Sequence, residues 1–312
     1  MPRADNNDLC EIFGYAPDDT SDAARKQWKS QLCPFVGLTC IKHSHPQNGE
    51  MVVYGSCSVV NRISNQAKEE VIICPQRLYA NRYKSLRSCV EDAIGHALPI
   101  YLANEYSELK KEHSLPDDYF VILGRNSGKE ITVTNPGVIS LSLDWVMVRI
   151  VNGNPVLILP CEVQSIDITG NYRANWTAYA RELESIPNSA HGMNWANVWK
   201  RLIPQLILKG SIASTSKLCR KGIYFVVPDR VYIQFEKIVG SVPYVKNAKD
   251  GVLNVMTYTL GPKVPKGEIR SLRHTRTIRM QVTEFATAFA SGQQLPLGTQ
   301  LDNKVAEVLA NL

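Results

Sequence analysis

Ser142-Leu143-Asp144-Trp145-Val146-Met147-Val148-Arg149-Ile150, a turn at Asn152-Gly153-Asn154, then Val156-Leu157-Ile158-Leu159-Pro160-Cys161-Glu162-Val163-Gln164-Ser165: this stretch decides the fold. Val, Ile and Leu dominate both arms, and Asn-Gly between two apolar runs is the strongest short hairpin signal. The arms are read as antiparallel strands. Asp144 starts the first and Glu162 ends the second. Pairing then brings two carboxylates to one rim of a sheet whose faces are otherwise apolar. Gln164 lies two residues beyond Glu162, and residues i and i+2 of a strand share a face.

Two carboxylates at a sheet rim have one obvious chemical use. Mg2+ takes one or two of them, and waters and substrate phosphate oxygens fill its remaining positions. A metal held there can activate water and neutralise charge on a phosphate. Strand-end carboxylates facing solvent are the alternative reading of the same spacing.

Working outward, Tyr119–Leu123 and Ile131–Thr134 read as strands before the hairpin, and Gly222–Pro228 as a buried strand after it. Helices are expected over Ser21–Lys29, over 77–112 with a kink at Pro99, over Trp176–Ile186 and over Asn194–Ala213. In the last of these, Trp195, Val198, Leu202, Leu206 and Ile207 form an apolar stripe, with Lys200, Arg201 and Lys209 assigned elsewhere around the helix. Val231–Phe235 and Val252–Thr259 look extended, Thr283–Ser291 and Val305–Leu312 helical. Strand, helix and strand in this order give an α/β fold, a mixed sheet flanked by helices.

The chain's 312 residues suffice for one large domain or two modest ones, and 44% hydrophobic with 21% charged residues is ordinary globular composition. No apolar run reaches the roughly 18 residues of a membrane span. The first residues lack the apolar core of a signal peptide, so a cytoplasmic protein is expected. A net charge of +6 permits an anionic partner without requiring one. Between Pro262 and Met280, the cations Lys263, Lys266, Arg270, Arg273, Arg276 and Arg279 face a single acid, Glu268. Such a run is a solvated face or a phosphate-binding one.

Eight cysteines in a cytoplasmic chain argue against structural disulfides. Cys33, Cys40, Cys57 and Cys74 are separated by six, sixteen and sixteen residues among short Gly-, Pro- and Asn-containing turns. The spacing admits a thiolate metal site or plain buried thiols, and His43 or His45 could replace a cysteine ligand. Cys89, Cys161 and Cys219 read as small buried hydrophobes, and Cys10 also lies outside the set.

Asp144 with Glu162-x-Gln164 on a hairpin resembles the core of the PD-(D/E)xK nucleases, with Gln where Lys is usual. Glu162-Val163-Gln164-Ser165-Ile166-Asp167-Ile168-Thr169-Gly170-Asn171-Tyr172-Arg173, the later Asn194-Trp195-Ala196-Asn197-Val198-Trp199-Lys200-Arg201-Leu202-Ile203-Pro204-Gln205, and the words around Cys33, Cys40, Cys57 and Cys74 together resemble the NotI-type restriction endonucleases. The likeness runs from about Phe13 to about Val227 and fades in the C-terminal third.

The resemblance implies a PD-(D/E)xK restriction-endonuclease-like core, residues 81–312, and an N-terminal arm with a small four-cysteine metal module, residues 1–80, the two packing as one unit. It implies structural iron, or zinc, on Cys33, Cys40, Cys57 and Cys74. Asp144 and Glu162 are expected to hold catalytic Mg2+, with Gln164, itself a feature of the NotI-type enzymes, orienting water. Glu91, on the helix before the hairpin, is the candidate for a further acid.

The implied activity is type II restriction: cleavage of both strands of a GC-rich palindrome by a homodimer, leaving 5′-phosphate and 3′-hydroxyl ends. A DNA methyltransferase of the same system is the implied partner. Arg270, Arg273, Arg276, Lys200 and Arg201 are candidates for touching DNA. Two other readings stand beside it: a non-enzymatic, metal-stabilised DNA-binding protein, and a structure-specific repair nuclease.

Overall fold

The hairpin forms where the apolar runs place it. In the computed structural model, which describes residues 8–44, 51–62, 68–189, 192–292 and 298–310, its arms are Trp145–Val151 and Asn154–Val163. The turn residues Asn152 and Gly153 both take positive φ, as a tight hairpin turn demands. Trp145 pairs with Cys161, so continuing the register sets Asp144 opposite Glu162.

The elements preceding the hairpin are, in chain order, β1 (Asp8–Ile12), α1 (Asp22–Ser30), β2 (His43–Ser44), β3 (Val52–Val53), β4 (Ser56–Arg62), β5 (Lys68–Ile72), α2 (Ala80–Ile94), β6 (Ile100–Leu102), α3 (Ala103–Lys111), β7 (Asp118–Gly124), β8 (Ile131–Asn135) and β9 (Ile139–Leu143). The hairpin arms are β10 and β11. After them come α4 (Arg173–Ala180), α5 (Ile203–Ser214), β12 (Ile223–Pro228), α6 (Asp229–Val239), β13 (Val252–Leu260), β14 (Leu272–Gln281), α7 (Val282–Ala290) and α8 (Gly298–Ala310).

Seven strands make the central sheet, in the order β14-β13-β12-β11-β10-β7-β6. It is mixed: β11, β12 and β13 run parallel, and β14 and β10 flank them antiparallel. Alternation along β11 and β12 splits the core in two. Leu157, Leu159, Cys161, Val163, Tyr224 and Val226 pack with Leu86, Cys89 and Val90 of α2. Phe225 and Val227 face the other way, against Leu206 of α5, Phe235 of α6 and Phe285 of α7. Helices therefore cover both faces. On β11, Glu162 falls between Cys161 and Val163 and so projects toward α5.

The N-terminal strands β1, β4 and β5 form a separate three-stranded sheet. Leu9, Ile12, Phe13, Val59 and Val71 belong to the same hydrophobic cluster as Phe225 and Val255, so the two sheets share one core. Arg77 ties them further. Fully buried, it donates two bonds to Glu11 Oε1 and one to Oε2 at 3.0–3.2 Å, and a further one to the carbonyl of Arg270 at 2.6 Å. Breaking a buried pair of this kind costs about 3–5 kcal/mol.

Several expectations are corrected. Residues 77–112 are not one kinked helix: α2 ends at Gly95, whose left-handed φ of 81° closes it, and a strand and a second helix follow. Residues 231–235 are helical, not extended, because Val231, Tyr232, Phe235 and Val239 bury one helical face. The helix expected over 176–186 is α4, ending at Ala180. The helix expected over 194–213 begins with a wide π-type turn at Val198–Leu202. Pro204 has no N–H to give the carbonyl four residues back, which explains the wide turn.

β8 and β9 form a two-stranded ribbon that pairs with no other strand among the described residues. Thr132 faces Ser142 and Thr134 faces Ser140, hydroxyl to hydroxyl, at 2.7 and 3.0 Å. The ribbon leads directly into Asp144. Among the described residues no helix is long and apolar enough to cross a membrane.

Candidate active site

The close approach of β7 to the start of β10 sets Asp144. A Cβ on Gly124 would lie 2.4 Å from the Trp145 ring and 2.6 Å from the Asp144 carbonyl. Only glycine lets the strands meet there. The Trp145 indole N–H donates to Tyr79 Oη at 2.9 Å, which fixes the residue next to Asp144.

The three residues expected at the rim stand together. The Asp144 backbone N–H donates to Glu162 Oε1 at 3.2 Å. Asp144 Oδ2 accepts from the Val163 N–H at 3.0 Å and from the Gln164 side-chain amide at 3.1 Å. Asp144 Oδ1 takes part in neither of these bonds. The Gln164 backbone N–H is anchored on the carbonyl of Val226 at 3.1 Å, so the side chain starts from a fixed base.

The cluster has a fourth member, Lys209. Lys209 Nζ donates to Glu162 Oε2 at 2.5 Å, and both side chains are buried, 7% and 2% exposed. Expected from the sequence to lie off the apolar stripe of its helix, Lys209 lies on it. It lies seven residues after Leu202, three after Leu206 and four before Ala213, all buried, so it continues the stripe. A lysine on an apolar stripe requires an acid across from it, and that was the available signal.

The Glu162 carboxyl is pushed up to about 8, first by burial and then by the charge of Asp144, against the pull of Lys209. The charge of Asp144 disfavours ionisation of Glu162, and a divalent cation removes that conflict. A two-carboxylate Mg2+ site fits this donor set. Beside Gln164 opens a cleft of about 160 Å³, whose walls include Asp167, Asn197, Arg201 and Gln205.

Glu91 is not at this rim. It is exposed on α2, which covers the sheet face opposite to the one Glu162 uses. The neighbouring Asp92 instead accepts from Tyr224 Oη at 2.8 Å and pairs with Arg279.

The candidate DNA-contacting cations divide in two. Arg270 is held by Glu70 at 2.8 Å and by the Gly261 carbonyl. Arg276 bonds Asp229 and Glu236 at 2.8 and 3.1 Å and lies over the Tyr232 ring. Both guanidinium groups are committed inside the chain. Arg273, Lys200 and Arg201 are exposed. Lys200 stands over Trp199 at 4.9 Å, and Arg201 lines the cleft beside Gln164.

The four cysteines form a second cluster. Cys33 and Cys40 come from the loop after α1, Cys57 from β4 and Cys74 from the segment just after β5, and all are buried. Every pairing among the four is close enough for one thiol to raise the pKa of another. Burial leads in each case, taking Cys33 to about 11 and Cys40 to about 12. Backbone N–H groups point at three of the sulfurs: Phe35 and Val36 at Cys33, Lys42 at Cys40 and Gln76 and Arg77 at Cys74. Amide donors of this kind suit thiolates. Among the described residues, no three His, Cys, Asp or Glu side chains are closed up tightly enough to hold a metal as they stand. His43 lies on β2, its carbonyl accepting from Tyr54 Oη at 3.4 Å, and His45 is outside the described residues.

No protein-family model matches the chain, and no curated protein matches it.

Proposed function

We propose that the chain is a divalent-metal-dependent endonuclease that cuts double-stranded DNA. The observation that carries this reading is the rim cluster: Asp144 and Glu162 side by side, Gln164 bonded to Asp144, beside an open cleft. Asp144 and Glu162 would hold Mg2+. Bound there, the ion supplies water activation and charge neutralisation at the scissile phosphate. Val163 N–H and the Gln164 amide keep the Asp144 carboxylate turned to one orientation. Arg201, in the cleft wall, faces a phosphate backbone laid along it.

The finer reading follows the NotI-type resemblance: a type II restriction enzyme, a homodimer on a GC-rich palindrome, leaving 5′-phosphate and 3′-hydroxyl ends, with a cognate methyltransferase protecting the host. Cys33, Cys40, Cys57 and Cys74 would carry structural iron or zinc, which tetrahedral thiolates accept equally. Arg77 and Lys42, both felt by these thiols, offset the negative charge of such a centre.

The test is digestion of a long, sequenced DNA with Mg2+, beside Asp144→Ala and an EDTA control. We expect discrete fragments from the wild type and a loss of at least about a thousandfold in Asp144→Ala. Mapped ends give the recognition sequence and stagger. Intact DNA that still shifts on a gel replaces this reading with a non-enzymatic DNA-binding protein. Cutting that follows DNA structure and not sequence replaces it with a repair nuclease. Elemental analysis of the purified protein, with Cys57→Ser alongside, reports on the sulfur site.

A further inference from the structure

We propose that Lys209, delivered from helix α5 and not from the strand, supplies the positive charge of the active site and presents it to the scissile phosphate. The inference rests on the nuclease reading and names a residue that reading does not include.

The Gln164 amide carries no charge, and one of its two N–H groups is spent on Asp144 Oδ2. The rim would then hold two carboxylates facing an anionic substrate with nothing but the metal to balance them. Lys209 changes that sum. Its ammonium bonds Glu162 Oε2, while the Asp144 amide holds Oε1.

The helix that carries Lys209 is held in place. Leu206 and Ala213 are buried on either side of it. A Cβ on Gly210 would lie 2.8 Å from Val282, so α5 packs hard against α7. Lys209 therefore enters the site from a rigid element, as a catalytic group should.

Stability alone does not explain its presence. Burying an ammonium and a carboxylate costs free energy that their attraction barely returns, and an apolar pair of the same volume serves a core equally well. A lysine bonded to a buried carboxyl at the end of the hairpin, two residues from Gln164 in the cleft wall, is what a functional site retains. Asp144 and Glu162 would hold a divalent cation, and the Lys209 ammonium, bonded to Glu162 Oε2, would then stand next to the charge that develops on the phosphoryl oxygens. There it acts by fixed charge in a desolvated setting.

The test compares wild type with K209M, K209R and the double variant Q164K/K209M, which returns a lysine from the strand. Cleavage is measured with Mg2+, DNA affinity with Ca2+ in its place, and folding by thermal melting. We expect K209M to lose about a hundredfold or more in kcat while its DNA affinity stays within about threefold, the split of a group acting in the transition state. Q164K/K209M should regain at least about tenfold over K209M, since the charge has been moved and not lost.

K209M cutting at the wild-type rate overturns the proposal, as does a double variant no better than K209M. Loss of cutting and DNA affinity together marks Lys209 as a packing residue and also overturns it. Should K209M fail to melt cooperatively, K209R and the double variant decide. Cutting by either within about tenfold of wild type supports the portable charge, and none from both refutes it. A wild type that leaves DNA intact removes the nuclease reading and the proposal with it. A wild type that cuts beside a fully active K209M removes the proposal alone.

Discussion

Glu162 holds its proton more tightly than an ordinary carboxylate. Its carboxyl titrates near 8 in the fold, against 4.5 ordinarily, chiefly through burial and then through Asp144. The folded chain therefore holds a proton that the unfolded chain has released between those values. By linkage, the metal-free protein is fully stabilised by this group below about 4.5 and loses that stabilisation as pH climbs toward about 8. A bound cation must displace the proton. Calorimetric titration with Mn2+ should show proton release of roughly one per ion near neutral pH, fading above about pH 9, and absent in Glu162→Gln. Affinity independent of pH would remove Glu162 from the ligand set. Asp144, Glu162 and Gln164 were legible as a group because a hairpin's register is arithmetic: fix the turn and the pairs follow. Lys209 was not, because its partner lies 47 residues away in sequence and only the packed fold brings them together.

At the scale of elements, the turn entering α2 is the costly one. Asn81, Arg82 and Tyr83 all take left-handed φ, between 54° and 59°. For residues with a Cβ this costs about 1–2 kcal/mol each. Tertiary contacts hold it: the Tyr83 ring lies 5.4 Å from Tyr79 and 5.3 Å from Trp145, and Arg87 Nε donates to the Arg82 carbonyl at 3.0 Å. Arg82→Gly should raise stability by about 1 kcal/mol in urea denaturation, since glycine adopts this φ without strain. Tyr83→Gly should lower it, because the ring contacts outweigh the relief. Equal effects of the two would mean the turn is not strained. Local sequence gave no warning, since Asn-Arg-Tyr-Lys-Ser-Leu is ordinary helix material and the turn exists only against Trp145. The reverse error occurred at Val231–Phe235, where a β-branched, aromatic run read as a strand and packing made it a helix. Strands β12 and β13 are legible nearly to the residue, because burial on both faces leaves a continuous apolar run.

For the whole molecule, the shared core and the Arg77 bridge make the cysteine region and the seven-stranded sheet interdependent. The free β8–β9 ribbon is the exception. From Ile131 to Leu143 it has no charged side chain, and Val133, Val138 and Ile139 are 42%, 76% and 40% exposed. Its outer backbone edges pair with no strand among the described residues. An uncharged strand edge with exposed apolar side chains is a template for another chain, and no charge on this one repels a copy. The ribbon thus governs colloidal behaviour more than folding. In concentrated solution, static light scattering should report net attraction between molecules, a negative second virial coefficient. The pair Val138→Lys and Ile139→Lys should turn it positive while the melting temperature stays where it was. The stretch that leads the chain into Asp144 would then also set how much of the protein a given volume of water can hold.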